Sequence, residues 1–220
     1  MNKELYKAIG QNCYSTLQTA KNSYDCAQYV CKNNIPGDIV ECGVAAAGNF
    51  GLMLLGCKDL NYTKKFWGFD SFQGIQLAGK RDTLQAGIGA ITHDVNVPEE
   101  SLLVSSGITV HSKASVVHYL NSWGLNDNVE LVEGWIQNTL PSVVDQIKSI
   151  SILRLDMDIY APTKFALEHL FPKISPGGIV IIDDWELDGA RIACQEYFES
   201  ISYTPTYLSI DESTPKFLYK

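Results

Sequence analysis

The sequence predicts an α/β fold: a mostly parallel sheet with helices on both faces. Three observations carry this. From residue 38 onward, short apolar runs alternate with segments of helical periodicity. The first of these runs leads into a turn of small residues, ECGVAAAG. The chain then closes on two short runs, 206–211 and 216–220, joined by Glu-Ser-Thr-Pro, which read as an antiparallel hairpin.

Residues 1–37 read as helical, and CKNNIPGD breaks them from the first strand. The extension 1–36 is expected to cap the site or to contact a second copy of the chain. DIVECG (38–43) is that first predicted strand, and NFGLMLLGCKDL (49–60) the helix behind it. KFWGFD (65–70) is the second strand, ending on an aspartate. The stretch 71–98 is Gly-rich and weakly periodic, longer than an ordinary connection, and is expected to act as an active-site lid. ITVHS (108–112) and VELVEG (129–134) read as strands flanking a helix at 114–124. SILRLDMD (151–158) is an apolar run ending in carboxylates. A helix over 162–171 comes next, with proline in its first turn, where the missing N–H costs nothing. GGIVIIDDW (177–185) is the next strand and 188–201 an amphipathic helix.

At 220 residues the chain suits one main domain over 37–220 plus the N-terminal extension. Lys and Arg number 17 against 25 Asp and Glu, a formal net charge of −8, so the basic face that nucleic acid requires is not expected. Six cysteines show neither C-x-x-C spacing nor a Cys/His cluster, and read as buried free thiols. The polar N-terminus is no signal peptide, and no apolar run approaches the roughly 18 residues of a membrane span. A cytoplasmic protein without membrane partners is expected.

Ligands of open α/β sheets bind outside the carboxyl ends of the strands. Here those ends carry Glu41-Cys42-Gly43, Asp70-Ser71, Glu133-Gly134-Trp135, Asp156-Met157-Asp158 and Asp183-Asp184-Trp185. The turn after Glu41 lets backbone approach a ligand closely, although Ala45 and Ala47 stand where a dinucleotide fingerprint would carry glycine. Asp70 is placed either to accept hydrogen bonds from ribose hydroxyls or to cap a helix. Asp156 and Asp158, two apart in extended chain, point the same way. With Asp183 and Asp184 on the following strand they form a carboxylate crevice in which only Arg154 is basic. Unpaired, such carboxylates repel, and a hard divalent cation such as Mg²⁺ would remove the conflict. Phe72, Trp135, Tyr160 and Trp185 are candidate stacking platforms for sugar or adenine, or else core residues.

The runs GDIVECGVAAAGNF, WGFDSFQGI, VELVEGWIQNTLP and LRLDMDIYAPTKFALEHLFPKISPGGIVIIDDW, within residues 37–186, together resemble the macrocin O-methyltransferase family. The resemblance implies a Rossmann-like class I methyltransferase with a seven-stranded sheet. It further implies S-adenosylmethionine and Mg²⁺ as cofactors and a small-molecule acceptor, a sugar hydroxyl in natural-product modification. By this likeness Glu41, Gly43 and Asp70 hold the methyl donor, with Gly134 and Trp135 near its adenine. Ala45, Gly48, Ser71 and Asp156 complete the donor site. Asp156, Asp183 and Asp184 are the implied metal ligands and Asp158 the general base, with His93 in the 71–98 loop as a rival base. Two other readings of LDMD stay open: a phosphatase-like hydrolase, and a glycosyltransferase whose D-x-D holds a metal and a nucleotide sugar. The first leaves ECGVAAAG without a role, the second leaves Asp183-Asp184 unexplained. A binding protein that has lost activity is the non-enzyme alternative.

Overall fold

The computed structural model describes residues 2–82, 97–209 and 216–220. Its centre is a seven-stranded sheet of β1 (Asp38–Cys42), β2 (Phe66–Asp70), β5 (Val129–Glu133), β6 (Ile150–Leu155), β7 (Ile174–Ile182), β8 (Tyr207–Ser209) and β9 (Lys216–Tyr219). A separate antiparallel pair, β3 (Gln76–Leu77) and β4 (Leu102–Ser105), stands beside it. The order across the large sheet is β5-β2-β1-β6-β7-β9-β8. Five strands from β5 to β7 are parallel, and β9 runs antiparallel to both β7 and β8. The chain steps outward from β1 through β2 to β5, then returns to lay β6 on the other side of β1. That reversal opens a crevice above the carboxyl ends of β1 and β6.

Each central strand is apolar on both faces because helices cover both. Ile39, Phe66, Ile152, Ile179 and Ile181 face one core, shared with α2 (Leu17–Lys32), α3 (Gly48–Lys58) and α4 (Lys113–Ser122). Their neighbours Val40, Trp67, Leu153, Val180 and Ile182 face the other, shared with α5 (Ile136–Val143), α6 (Tyr160–Leu170) and α7 (Asp188–Ser200). α3 is apolar on all sides because it lies between the sheet and α2. A Cβ on Gly56 would stand 2.7 Å from the carbonyl oxygen of Tyr24, so only glycine lets the two helices pack this closely. α1 (Lys3–Gly10) also packs on α3, with Ile9 fully buried. Side-chain N-caps begin these helices: Asn2 for α1, Thr16 for α2 and Ser112 for α4.

Two expectations are corrected and one element is added. Residues 108–112 form no strand: Thr109 takes a left-handed φ of +54°, and the Ile108 carbonyl accepts the N–H of Ile75. The apolar run at 151 stops being a strand at Leu155, so Asp156 and Asp158 do not share a strand face, and Asp158 turns to φ +64°. The helix at 136–143 is additional, and it tolerates Pro141 within it. All six cysteines are free, five of them buried. Among the described residues no helix is long and apolar enough to cross a membrane.

Candidate active site

A cavity of about 300 Å³ opens over the crevice. Its floor combines Gly43 and Ala45 after β1, Asp70 at the end of β2 with Ser71 after it, and Gly134 and Trp135 after β5. Asp156, Met157 and Asp158 after β6, with Asp183 and Asp184 after β7, complete it. Glu41 and Gly48 lie outside this cavity, around a small recess beside Asn12 and Cys13. His93 falls outside the described residues.

The turn after β1 is shaped by backbone geometry. Gly43 has φ +90°, and a Cβ there would fall 1.6 Å from the carbonyl oxygen of Asp156. Ala45 (φ +46°) and Ala47 (φ +62°) hold left-handed conformations, each at a cost of about 1 kcal/mol for a residue with a Cβ. Asp70 fixes the turn: Oδ2 accepts the N–H groups of Val44 (2.8 Å) and Ala45 (2.9 Å), and Oδ1 accepts that of Phe72 (2.6 Å). Burial raises the Asp70 carboxyl above its ordinary value, and those three bonds pull the other way. The observed contacts of Asp70 are thus those of a loop clamp, made at the cavity wall.

The acid corner is shaped by charge. Register pairs Glu41 on β1 with Arg154 on β6. Arg154 is fully buried, and its Nη1 donates to Glu41 Oε1 (2.7 Å) and to Asp156 Oδ2 (2.5 Å), while Nη2 donates to Asp183 Oδ2. The expected carboxylate crevice is therefore partly neutralised from within: one arginine serves three acids. Asp158 and Asp184 make no ion pair among the described residues. The N–H of Asp158 donates to Asp184 Oδ2 (3.2 Å), and that of Asp184 to Asp183 Oδ1 (3.3 Å). Burial pushes Asp158 up to about 8, with Asp156 and Asp183 adding repulsion. Burial likewise holds Asp184 far above the carboxylate range, and Asp158 reinforces it. Asp183 rises to about 7 and Glu41 to about 8, both chiefly by burial and both against the pull of Arg154. Both Asp158 and Asp184 (φ +55°) sit in the left-handed region, which aspartate tolerates better than most residues and which recurs at functional sites. As the side chains stand, no three carboxylates, histidines or cysteines among the described residues are gathered to hold a metal ion.

The remaining walls carry residues that no local sequence pattern singles out. Gln137 Nε2 donates to Gln76 Oε1 (2.9 Å), and Gln76 Nε2 to Ser101 Oγ (3.0 Å). Tyr14, Ser15, Thr16 and Thr19 line the cavity from the N-terminal segment, and Tyr14 Oη lies 2.8 Å from His111 Nε2. Nothing in the spacing of these residues signals the contacts, because they join segments far apart in the chain. Of the four candidate aromatic platforms, Trp135 lines the cavity. Phe72 is core, Tyr160 stacks under Arg81, and Trp185 packs on Tyr207.

This sheet order, with acids gathered over the reversal between β1 and β6, defines the class I methyltransferase architecture. The macrocin-O-methyltransferase (TylF) family model matches residues 8–217, and the chain belongs to that family. It is 33% identical over 183 residues to the 8-demethyl-8-(2,3-dimethoxy-alpha-L-rhamnosyl)-tetracenomycin-C 4'-O-methyltransferase of Streptomyces olivaceus, covering 82% of this chain and 65% of that protein. This chain thus spans a little under two thirds of that relative's length. It is 31% identical over 207 residues to the demethyldecarbamoylnovobiocin O-methyltransferase of Streptomyces niveus, covering 89% of this chain and 71% of the relative. Among solved structures, the O-methyltransferase NovP superposes with a TM-score of 0.80 at 27% identity, over 95% of this chain and 82% of its own.

Proposed function

We propose that this chain transfers a methyl group from S-adenosylmethionine to a hydroxyl of a small molecule, a sugar or glycosylated metabolite. The observation that carries the reading is the continuity of one cavity, from the turn at Gly43 and Ala45, past Asp70, Gly134 and Trp135, to the acid corner. The turn gives the donor close backbone approach, and Trp135 offers its face to the adenine. The acceptor lies over Asp158. Its hydroxyl oxygen attacks the methyl carbon, the carbon–sulfur bond breaks toward sulfur, and the hydroxyl proton passes to the Asp158 carboxylate. Neutral S-adenosylhomocysteine leaves. Alignment of oxygen, methyl and sulfur is the larger share of such catalysis. The N-terminal extension caps the acceptor end through Tyr14, Thr16 and Thr19.

The sugar class rests on the relatives, whose names include a rhamnosyl 4'-O-methyltransferase and a mycinamicin III 3''-O-methyltransferase. A divalent cation is the finer part of this reading: the acid corner offers only hard oxygens, and Asp158 and Asp184 have no ion-pair partner among the described residues, although its carboxylates would have to draw together to hold one. Asp156, Asp183 and Asp184 would hold it, Arg154 occupying one oxygen each of Asp156 and Asp183. When bound, such a cation supplies Lewis-acid polarisation of the acceptor hydroxyl.

Calorimetric titration with S-adenosylhomocysteine and, separately, with a UDP-sugar tests the reading. Saturable S-adenosylhomocysteine binding is expected. Binding of the UDP-sugar alone would overturn the methyltransferase in favour of a glycosyltransferase. Turnover on O-demethylated glycosides, with and without a chelator, then tests the acceptor and the metal.

A further inference from the structure

Two cysteines meet where the N-terminal extension packs on the main domain. Tyr24, Ala27 and Cys31 recur at three- and four-residue spacing, so they share one face of α2. That face meets α3 at Gly56, where a Cβ would stand 2.7 Å from the Tyr24 carbonyl oxygen and 3.0 Å from Ala27 Cβ. Gln28 Nε2 donates to the Gly56 carbonyl (3.2 Å). The next residue, Cys57, brings its sulfur to 3.4 Å from that of Cys31. Both thiols are free, and each residue is 2% exposed.

Ionisation sets this pair apart from the other four cysteines. Burial pushes Cys13, Cys26 and Cys194 up to about 12 and raises Cys42 as well. Cys31 moves the other way: the neighbouring thiol holds it below its ordinary value, against the push of burial, and the Lys64 charge adds to the pull. Cys57 rises as the partner that keeps the shared proton. Lys64 Nζ is fixed there by donating to the carbonyls of Ile35 (2.7 Å) and Gly37 (2.9 Å), just past the end of α2. A sulfur that ionises readily beside a thiol that can resolve it is the arrangement of a redox-active pair.

We propose that Cys31 and Cys57 form a reversible disulfide on exposure to a hydroperoxide, stapling the N-terminal extension to the main domain. This stands apart from the methyl-transfer and cation readings. The Cys31 thiolate attacks one oxygen of the peroxide and the O–O bond breaks. Cys31 becomes a sulfenic acid, and the departing hydroxide takes up the proton that Cys31 released, as water. The Cys57 sulfur then attacks the sulfenic sulfur, the S–O bond breaks, and the Cys57 proton leaves with that hydroxide as a second water. The two thiols supply the two electrons that the peroxide takes. Burial of both sulfurs selects an oxidant of this small size over a disulfide reagent or a protein partner. Each sulfur lies next to the last residue of its helix, Lys32 of α2 and Lys58 of α3, where helices fray. The bond joins residues 26 apart and closes a loop that contains β1 and the turn at 43–47.

The test treats the folded full chain with hydrogen peroxide, blocks remaining thiols with iodoacetamide and maps the peptides by mass spectrometry. A peptide linking Cys31 to Cys57, lighter by two hydrogens and restored by dithiothreitol, is expected. Oxidation is expected to raise the melting temperature by about 5–10 °C, the scale for closing a loop of this length. Cys57→Ser removes the resolving thiol, so its reaction is expected to stop at a sulfenic acid on Cys31 that dimedone captures. Cys31→Ser is expected to leave Cys57 unmodified. If a serine variant does not fold, the alanine variants replace it, and the wild-type map decides by itself. Both thiols still alkylated after peroxide, a bond joining any other pair, or a sulfinic acid on Cys31 with Cys57 untouched overturns the proposal. So does a cross-link that forms only in urea, or an oxidised chain that melts below the reduced one.

Discussion

The turn at 43–47 and the acid corner at 156–158 and 183–184 face each other across one cavity, yet they are built by opposite means. Each holds two non-glycine residues in the left-handed region: Ala45 and Ala47 in one, Asp158 and Asp184 in the other. In the turn the strain is carried by neutral backbone, held down by the hydrogen bonds of Asp70 to Val44 and Ala45. In the corner it is carried by Asp158 and Asp184, which make no ion pair among the described residues but stand beside the cluster of Arg154 with Glu41, Asp156 and Asp183. Local shape fixes the turn, and charge assembled across strands surrounds the corner.

The sharpest way to break this comparison lies where the regions touch. Gly43→Ala places a methyl against the Asp156 carbonyl, a backbone clash that no rotamer relieves. A loss of more than about 4 kcal/mol of stability, or failure to fold, is expected in urea unfolding. Wild-type stability would show that the two regions move apart freely. Next in size is Asp70→Asn. One side-chain oxygen becomes an N–H₂, so either the Val44–Ala45 or the Phe72 bonds are lost. A cost of about 1–3 kcal/mol is expected, with donor affinity falling in parallel as the turn loosens. A drop in donor affinity without a drop in stability would favour direct ribose contact over clamping. The smallest effect separates strain from chemistry. Ala45→Gly relieves a left-handed alanine and is expected to change melting stability by no more than about 1 kcal/mol, with turnover kept. Asp184→Gly relieves the same kind of strain and is expected to abolish turnover. If both variants stay active, the acid corner is scaffold.

Strands at the sheet centre were legible because helices cover both faces and force apolar runs such as Ile179–Ile182. The run at 108–112 opens on β-branched residues but is turned by Thr109, which composition does not record. Pro141 hid α5, since proline in mid-run ordinarily ends a helix. At the site, Asp156, Asp158, Asp183 and Asp184 were readable as acids at strand ends, and all line the cavity. The two-residue spacing of Asp156 and Asp158 misled, because it presumes an extended chain that has already stopped. Arg154 was visible as a lone charge in an apolar strand, but its three partners depend on the β1–β6 register and on the ends of β6 and β7. The Gln76–Gln137 contact and the Tyr14–His111 contact join segments 61 and 97 residues apart, beyond any local pattern.

Gly43 has a mechanical consequence as well. With no side chain between it and Asp156, the turn after β1 and the acid corner after β6 meet backbone to backbone. In the proposed methyl transfer, the span from sulfur to acceptor oxygen would then be set by β1 and β6, neighbours in the sheet. The outer walls of the cavity come from elsewhere: the segment bearing Tyr14 and Thr16, and the Gly74–Gln76 stretch. Under the proposed methyl transfer, a change of acceptor would need only those walls rebuilt, with the backbone contact of Gly43 and Asp156 left as it is.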